Sequence, residues 1–531
     1  MSPDATPSAE NSLSDEEKLA QTQHEDAVDY PSGLKLALIC VALCLSVFLV
    51  ALDNTIIATA IPKITDHFGS LEDVGWYGSA YLLPTAAFQL LFGRLYTFLS
   101  MKWVYISAIL IFELGSLICG VAPTSHALIA GRAIAGVGSA GIFNGALIIL
   151  SRTVPLAKRP MYTALVAGMY GVSSVAGPLL GGVFTDKTSW RWCFFINLPI
   201  GGLTLAILIF FLSLPAQGPS SDRLKLKQLD PWGTLVFIPA VICLLLALQW
   251  GGSKYSWGNA RIIALFVVFG VLLGVFCVIQ ARQGEWATVP PRIVKQRSMM
   301  GGSFYSLTGG AAFFILVYYL PFWFQAIEGT SAVQSGVRNI PMILGMVLAS
   351  LLAGFLVTKL GYYTPFMWFS SALMAAGAGL LGSMSPSAGH AKWIGYQALF
   401  GLGMGLGTQQ PVVAAQTLLR AEDVPTGTSL VMFMQTLGGA LFISTAQNVL
   451  TNKLTSGLVK AVPGIDVATV INAGATNLRS AVNAADLPTV IKVYNDALGS
   501  VFNVALGLAC VSFLGSVAME WVSTNILPLK A

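Results

Sequence analysis

Residues 50–62 read VALDNTIIATAIP and place one acid, Asp53, inside an apolar run that covers about residues 36–59. A run of roughly 20 apolar residues is the length at which a helix crosses the hydrocarbon core of a bilayer. An acid in such a run is costly unless it is paired or hydrated, so it usually serves function. The stretch therefore predicts a transmembrane helix with a functional carboxyl group.

The composition of the whole chain agrees with a membrane protein. Of its 531 residues, 55% are hydrophobic and 10% are charged, and the mean hydropathy is +0.73. Soluble domains carry about 25% charged residues, so a soluble globular protein is excluded. The net charge of +5 comes from basic residues in short segments between apolar runs. Such residues orient a membrane protein, and we expect no nucleic-acid partner.

Further apolar runs of spanning length repeat along the chain. They lie at about residues 36–59, 75–97, 104–122, 127–152, 161–184, 193–214, 233–250, 261–282, 303–325, 336–358, 366–384, 393–416, 427–448 and 497–520. The spacing predicts an all-α polytopic membrane protein with about fourteen transmembrane helices, arranged as two six-helix bundles plus two inserted helices. The seven cysteines lie in these runs without metal-ligand spacing, so we expect no metal and no cofactor.

The domain organisation follows from this plan. We expect a disordered cytoplasmic tail at 1–33, an N-terminal six-helix bundle at 34–216, and a linker with the two inserted helices at 217–298. The C-terminal six-helix bundle covers 299–531 and includes a long outer loop at 449–496. Basic residues are more frequent in the inner loops if the N-terminus is cytoplasmic, which predicts that both termini are cytoplasmic.

An internal repeat supports the two bundles. The pattern G-x-L-x-T occurs at Gly93 and again at Gly354, after the second span of each group. In the fourth spans, the spacing of Arg132 and Gly136 matches that of Gln397 and Gly401. Because both offsets are close to 260 residues, the repeat indicates that one six-helix unit has been duplicated, which is how secondary transporters are built.

Three charged residues within the spans are candidates for proton coupling. Asp53 and Arg132 lie at similar predicted depths, so they form either a fixed ion pair that locks two helices or a proton-exchanging pair. Glu113, near the middle of the third span, is either a second proton site or a hydrogen-bonding partner of a neighbouring helix. Glu520 is expected at the membrane interface, where its charge reaches water.

Uncharged polar and aromatic residues within the spans are candidates for binding substrate, with ordinary helix packing as the alternative for each of them. Amides offer adaptable hydrogen bonds and aromatic rings offer stacking, which together suit an amphipathic pocket. The candidates are Gln325, Gln410, Tyr318, Tyr319, Trp323, Asn144, Gln89 and Gln435, with the first two favoured.

The fifth span contains the sequence GVSSVAGPLLGG at residues 171–182. Small residues permit close helix contact and a proline removes one helical hydrogen bond, so the cluster predicts a bending interface. Its candidate conformational residues are Gly177, Pro178, Gly181 and Gly182.

Four stretches carry a resemblance to a known family: LDNTIIATAIP, GRAIAGVGSAG, GVSSVAGPLLGG and WRWCFFINLPIGG. Together they resemble the fourteen-span drug:proton antiporter subfamily of the major facilitator superfamily, and within it fungal multidrug and mycotoxin efflux pumps. The resemblance implies a monomer that works by alternating access and exports small molecules against an inward flow of protons. It also implies coupling through Asp53 and Arg132, and an antiport role for the glycine–proline motif.

One departure from the family pattern concerns the loop after the second span. The family usually has G-x-L-x-D-R-x-G-R-K there, whereas this chain has Thr97, Phe98 and Ser100 at the acid, arginine and glycine positions. An aspartate latch is therefore absent, and other contacts must hold the inner gate.

The expected function is proton-coupled efflux of amphipathic small molecules such as toxins, drugs or secondary metabolites, at the plasma membrane, with vacuolar or vesicle membranes as alternatives. A major facilitator importer of a siderophore or another nutrient is the nearest competing function. A membrane-embedded enzyme needs clustered catalytic groups, and the four histidines are scattered along the chain. A receptor or scaffold would leave the repeat and the buried acid unexplained.

Overall fold

The computed structural model of the protein describes residues 30–69, 73–212, 229–252, 254–462, 465–467, 469–470 and 478–524. Almost all of these residues are helical. In chain order the helices are α1 (Gly33–Phe68), α2 (Val74–Phe98), α3 (Met101–Val121), α4 (Ser125–Thr153), α5 (Arg159–Lys187), α6 (Trp192–Phe195), α7 (Asn197–Phe211), α8 (Pro231–Trp250), α9 (Ala260–Gln283), α10 (Pro291–Val294), α11 (Arg297–Glu328), α12 (Ala332–Val337), α13 (Ile340–Leu360), α14 (Thr364–Gly382), α15 (His390–Gly407), α16 (Gln410–Leu418), α17 (Val424–Ala461), α18 (Leu478–Ala481) and α19 (Leu487–Ala518).

Twelve helical segments of the described chain are long and apolar enough to cross a membrane. The all-helical polytopic class predicted from the sequence is confirmed. The predicted spans at 75–97 and 393–416 correspond to α2 and to α15 with α16, which are not among the twelve. The reason is composition, since α2 contains Gln89 and Arg94 and α15 has five glycines in 18 residues. The count of fourteen therefore stays a prediction.

The first six-helix unit is built around α4, which packs against α2 and α3, while α1 packs against α5 and α7. Glycines set the closest approaches. A Cβ atom at Gly115 of α3 would lie 2.3 Å from the Ala135 nitrogen of α4, so only glycine fits there. The small residues of the fourth span thus serve helix packing first.

The second unit repeats these pairings in the predicted register. The helix α15 packs against α13 and α14, and α11 packs against α17 and α19. A Cβ atom at Gly136 would lie 2.2 Å from the Tyr81 carbonyl oxygen, and one at the matching Gly401 would lie 2.1 Å from the Met342 carbonyl oxygen. Corresponding glycines therefore make corresponding contacts, as a duplicated unit requires.

The inserted helices α8 and α9 pack against each other, and α8 also contacts α2 and α17. Asp230 begins α8 in a left-handed backbone conformation (φ 47°), which is unusual for a residue other than glycine. Its fully buried carboxylate accepts hydrogen bonds from Gly233, Gln280 and Thr288. These hydrogen bonds connect the start of α8 with the end of α9.

Several boundaries differ from the sequence prediction. The sixth run is divided at Ile196 into α6 and α7. The predicted outer loop at 449–496 is largely helical at both ends, because α17 continues to Ala461 and the last helix begins at Leu487. Of the predicted tail, residues 1–29 lie outside the described part of the chain.

The start of α1 and the end of α19 define what we call the terminal face of the bundle. The start of α11 lies on the same face, since Arg297 donates a hydrogen bond of 2.9 Å to the Ala518 carbonyl oxygen. The other end of the helices is called the opposite face.

Candidate functional site

A buried ion pair joins the first and fourth predicted spans. Asp53 lies in the central part of α1, and Arg132 lies two turns into α4; both side chains are fully buried. Arg132 Nη1 donates to Asp53 Oδ2 in a direct salt bridge. The two residues that the sequence placed at similar depth are therefore in contact.

Backbone and aromatic groups hold the arginine in addition to the acid. Arg132 Nε donates to the Tyr77 carbonyl oxygen at 2.9 Å, and its guanidinium carbon lies 4.4 Å from the centroid of the Tyr81 ring. A desolvated cation over an aromatic face is stabilised by roughly 2 kcal/mol. Arg132 Nη2 has no hydrogen-bond partner among the described residues. This nitrogen can therefore donate a hydrogen bond if the cluster around Asp53 rearranges.

Asn197 completes the polar cluster, and sequence reasoning did not assign it a role. Its Nδ2 atom lies 3.1 Å from Asp53 Oδ1 and 3.1 Å from Ser116 Oγ of α3. The residue is the first of α7, directly after the helix break at Ile196. The preceding loop is anchored by Arg191, which donates to the carbonyl oxygens of Gly120 and Ala122, each at 2.9 Å. The WRWCFFINLPIGG stretch, which contains Asn197, was the signal in the sequence that could have indicated a role for this residue. Contacts made by this stretch bring α1, α3 and α7 together.

Glu113 lies in α3 beside this cluster, separate from the Asp53 salt bridge. It is 8% exposed, and neither carboxylate oxygen has a hydrogen-bond partner among the described residues. The carboxyl group occupies a notch in α7, where a Cβ atom at Gly201 would lie 1.8 Å from Glu113 Oε1. The hydrogen bond to a neighbouring helix that the sequence allowed is not present in this arrangement.

A central cavity lies between the two six-helix units, with an empty volume of about 1110 Å³ that includes the space at its mouth. The described residues that line it are uncharged, and both units contribute to them. They are Val50, Asn54, Tyr81, Leu82, Thr85, Gln89, Ser139, Phe143, Ala167, Gly168, Tyr170, Phe313, Phe314, Met346, Val347, Ser350, Met404, Gly405, Thr408, Gln409, Met432, Gln435 and Thr436. Aromatic rings and amides in such a chamber can hold an amphipathic molecule without an ionic contact.

On the terminal face the two units are joined by hydrogen bonds. The Thr97 and Thr426 hydroxyl oxygens are 3.3 Å apart, and Arg152 donates to the Ala421 carbonyl oxygen at 2.6 Å. Gln416 Nε2 also donates to the Leu147 carbonyl oxygen at 3.3 Å. Thr97 thus contacts the first turn of α17 as a neutral hydroxyl group.

A charged contact reinforces the same face. Arg292 of α10 donates to both carboxylate oxygens of Asp423, at 2.7 and 3.0 Å, just before α17 begins. Burial raises the pKa of the Asp423 carboxyl group, and the Arg292 guanidinium opposes that rise. Arg94 of α2 donates to the Trp286 carbonyl oxygen at 3.1 Å. The segment after α9 therefore connects α2 with α17.

The sequence model of a protein family, described as the Major Facilitator Superfamily, matches residues 43–443 of the chain. The chain belongs to this superfamily. A protein of Arthroderma benhamiae named "MFS-type efflux pump MFS1" is 56% identical over 509 residues, which cover 95% of each chain. "Efflux pump roqT" of Penicillium rubens is 52% identical over 487 residues, covering 91% of this chain and 90% of that protein.

The fold is also similar to that of a solved major facilitator structure. The human organic anion transporter MFSD10 matches with a TM-score of 0.58 and 13% identity, covering 90% of this chain and all of that one. At this identity the match shows the fold alone. With the family match it establishes a polytopic membrane transporter, as the resemblance implied.

Within this major facilitator fold, two of the predicted substrate residues line the central cavity. Gln89 and Gln435 face it from opposite units. Asn144 lies behind it, where its amide donates to the Gln89 carbonyl oxygen at 3.0 Å and to Ser429 Oγ at 3.2 Å. Asn144 therefore joins the two units. Gln409, the neighbour of the favoured Gln410, is also a lining residue of the cavity.

The other predicted substrate residues lie apart from the described cavity lining. Tyr318 is 50% exposed on α11, whereas Tyr319 donates to the Ile443 carbonyl oxygen at 3.1 Å. Trp323 donates to Asn495, and Gln325 donates to Ser335, each at 3.0 Å. Gln410 donates to the Leu406 carbonyl oxygen of the preceding turn at 2.9 Å. In this arrangement Tyr319, Trp323, Gln325 and Gln410 contribute to helix packing, and their roles in binding stay predictions.

The glycine–proline motif lies in α5 between the two units. A Cβ atom at Gly177 would lie 2.2 Å from Thr55 Oγ1 of α1, and Pro178 is the nearest neighbour of Gly336. Gly181 is buried, whereas Gly182 has open space beside it. The motif thus faces α1 through Gly177 and the second unit through Pro178.

Proposed function

We propose that this chain is a proton-coupled efflux transporter, an antiporter that exports amphipathic small molecules by alternating access. Similar proteins named efflux pumps support the export part of this proposal. The observation that carries the coupling part is the arrangement of Tyr81. Its ring covers the Arg132 guanidinium, and the same residue lines the uncharged cavity.

In the proposed cycle Asp53 exchanges the proton. In the described arrangement the carboxylate is paired with Arg132 and hydrogen-bonded by Asn197. Protonation removes the charge of Asp53, so the buried guanidinium loses its ionic partner and must move or gain water. Tyr81 transmits such a movement to the cavity, because it contacts both sites. Glu113 is the second proton site that we propose.

The substrate class follows from the lining of the cavity. Phe143, Phe313 and Phe314 offer apolar and aromatic surface, while Gln89 and Gln435 offer hydrogen bonds. Since the described lining residues carry no charge, the chamber suits uncharged amphipathic molecules such as toxins, drugs or secondary metabolites. An organic cation would find no acidic partner on these residues.

The orientation and membrane are part of the same proposal. The positive-inside bias makes the terminal face cytoplasmic, with both termini inside. The contacts Thr97–Thr426 and Arg292–Asp423 then close the inner gate. We include α2 and α15 among the spans, which gives fourteen, and we propose a monomer in the plasma membrane.

The test begins with the compound that accumulates in cells that lack this protein. Purified protein in liposomes should move that compound against an imposed proton gradient, and a protonophore that collapses the gradient should stop the movement. Movement in the same direction as the protons would instead support an importer of a siderophore or another nutrient. Specific binding of the compound without any flux would support a receptor.

A further inference from the structure

The carboxyl group of Glu113 lies in an unusual setting for an acid inside a membrane protein. It is nearly buried, and no described residue donates a hydrogen bond to either oxygen. A carboxylate anion without partners in such surroundings is strongly unfavourable, whereas a neutral carboxylic acid is tolerated. The side chain is therefore placed to carry a proton.

The notch that receives this carboxyl group is specific. A Cβ atom at Gly201 would lie 1.8 Å from Glu113 Oε1, while the adjacent Gly202 has nothing within 4 Å. Two neighbouring glycines thus differ sharply in what they permit. Gly201 leaves room for the acid, and Gly202 does not contact it.

Two short helical steps connect the notch to Asp53. Ser116 lies three residues after Glu113 on α3, and Asn197 lies four residues before Gly201 on α7, so each pair shares a helix face. Asn197 Nδ2 bridges Ser116 Oγ and Asp53 Oδ1, at 3.1 Å to each. Two buried polar atoms in this region, Asn197 Oδ1 and Arg132 Nη2, have no described partner and are available for a second arrangement.

We propose that Glu113 and Asp53 form one two-carboxyl proton unit, with Asn197 and Ser116 on the helix faces that connect the two acids and Gly201 as a positioning residue. This inference rests on the proposed proton coupling. In the described arrangement Glu113 holds the proton and Asp53 is the anion paired with Arg132. Transfer breaks the O–H bond of Glu113 and forms one on an Asp53 oxygen, so Glu113 becomes the carboxylate and the charge of the unit is unchanged. Net charge changes only when a proton enters or leaves.

The charged and titratable groups around Glu113 come from three packed elements. Asp53 on α1 is the charged neighbour of Glu113, and it is paired with Arg132 on α4. Cys119 on α3 lies near that ion pair, and α7 presents Gly201 to Glu113 and Asn197 to Asp53. The unit therefore contains two acids and one permanent cation, and one of the acids must be neutral for charges to balance. Such a pair loses its protons in two steps that belong to the pair as a whole.

The test is a pH titration of the purified full-length protein by infrared difference spectroscopy, which follows the C=O stretching band of protonated carboxylic acids and needs no substrate. Wild type should show two coupled steps. Glu113→Gln should remove one titration step and shift the pH of the remaining one. Asp53→Asn should likewise leave a single step, which then belongs to Glu113. Gly201→Ala should change the titration, whereas the matched control Gly202→Ala should leave it as in wild type.

A Glu113→Gln variant with an unchanged titration, or Gly201→Ala and Gly202→Ala variants with identical effects, would overturn the proposal. Folding is checked separately by thermal unfolding and gel filtration of the Glu113→Gln variant, in which the side chain keeps its size. Failure of the proposed function looks different. If Asp53→Asn keeps full proton-driven transport while the two steps persist in wild type, then coupling fails although the two-carboxyl unit stands.

Discussion

Substitution of Asp53 by asparagine tests the central pair most directly. Asparagine keeps the size of the side chain and one acceptor oxygen for Arg132, but it removes the negative charge and the proton site. The guanidinium would then be fully buried with the Tyr77 carbonyl oxygen and the Tyr81 ring as its remaining neighbours. We expect proton-driven transport to be abolished and the protein to be less stable.

The size of the stability loss follows from the burial. Removal of one partner from a buried ion pair costs about 3–5 kcal/mol, because the other charge stays unpaired. The asparagine oxygen, the Tyr77 carbonyl oxygen and the Tyr81 ring still stabilise Arg132. We therefore expect a loss of free energy of unfolding at the lower end of this range, about 3 kcal/mol. That is a factor of about 100 in the ratio of folded to unfolded protein. Thermal unfolding in detergent should show the loss clearly.

The double variant Asp53→Asn with Arg132→Gln separates stability from coupling. With both charges gone, no unpaired ion remains, so most of the lost stability should return. Proton-driven transport should not return, because the proton-exchanging carboxyl group of Asp53 is still missing. The assays are thermal unfolding, gradient-driven flux in liposomes and substrate exchange without a gradient. Recovered proton-driven flux in the double variant, or unaltered flux in Asp53→Asn, would refute the assignment.

Five further substitutions test the gate, the cavity and the glycine motif. Arg292→Met should raise hydrogen exchange in the first turn of α17 about fivefold, since an ion pair between a partly exposed arginine and a nearly buried carboxylate is worth about 1 kcal/mol. Loss of the guanidinium raises the pKa of Asp423 further, so the defect of Arg292→Met should shrink at acidic pH, where Asp423 is neutral. Asp423→Asn should have a smaller effect than Arg292→Met. Equal effects of Arg292→Met at every pH would contradict this reasoning. Gln435→Leu should weaken substrate binding about tenfold, as loss of one hydrogen bond does, with proton coupling intact in liposome flux. Gly177→Ala should slow transport because its Cβ atom would lie 2.2 Å from Thr55 Oγ1, while Gly182→Ala, with nothing within 4 Å, should match wild type; similar rates for the two variants would count against the motif.

The fold was largely predictable from the sequence, because hydrophobic length and the repeat are strong local signals. The match of Gly136 and Gly401 predicted two equivalent units, and their contacts proved equivalent. Helix ends were less predictable. Hydropathy falls after about residue 448, but α17 continues to Ala461. In this extension the apolar signal is reduced to a leucine at every fourth residue, Leu450, Leu454 and Leu458, which are all buried.

The candidate site was predictable in part. Asp53 and Arg132 stood out because charges in apolar runs are rare, and the structure pairs them. Asn197 is neutral and follows a helix break, so the family resemblance drew attention to its stretch of sequence but not to its contact with Asp53. The long aromatic residues of α11, such as Trp323, have the composition expected of a pocket but pack within the second unit. Composition cannot tell which face of a helix is turned toward the cavity.

The duplicated architecture makes the proposed proton coupling asymmetric. Gln397 stands where the repeat places the counterpart of Arg132, and it is equally buried but neutral. The second unit therefore lacks the ionic element at this position, although its glycine contacts are conserved by the duplication. A change in protonation then alters the energy of the first unit directly, while the second unit responds through the shared cavity and the gate. Because the Tyr81 ring covers the Arg132 guanidinium and the same residue lines the cavity, we propose that a movement of this ring carries a change in protonation to the chamber.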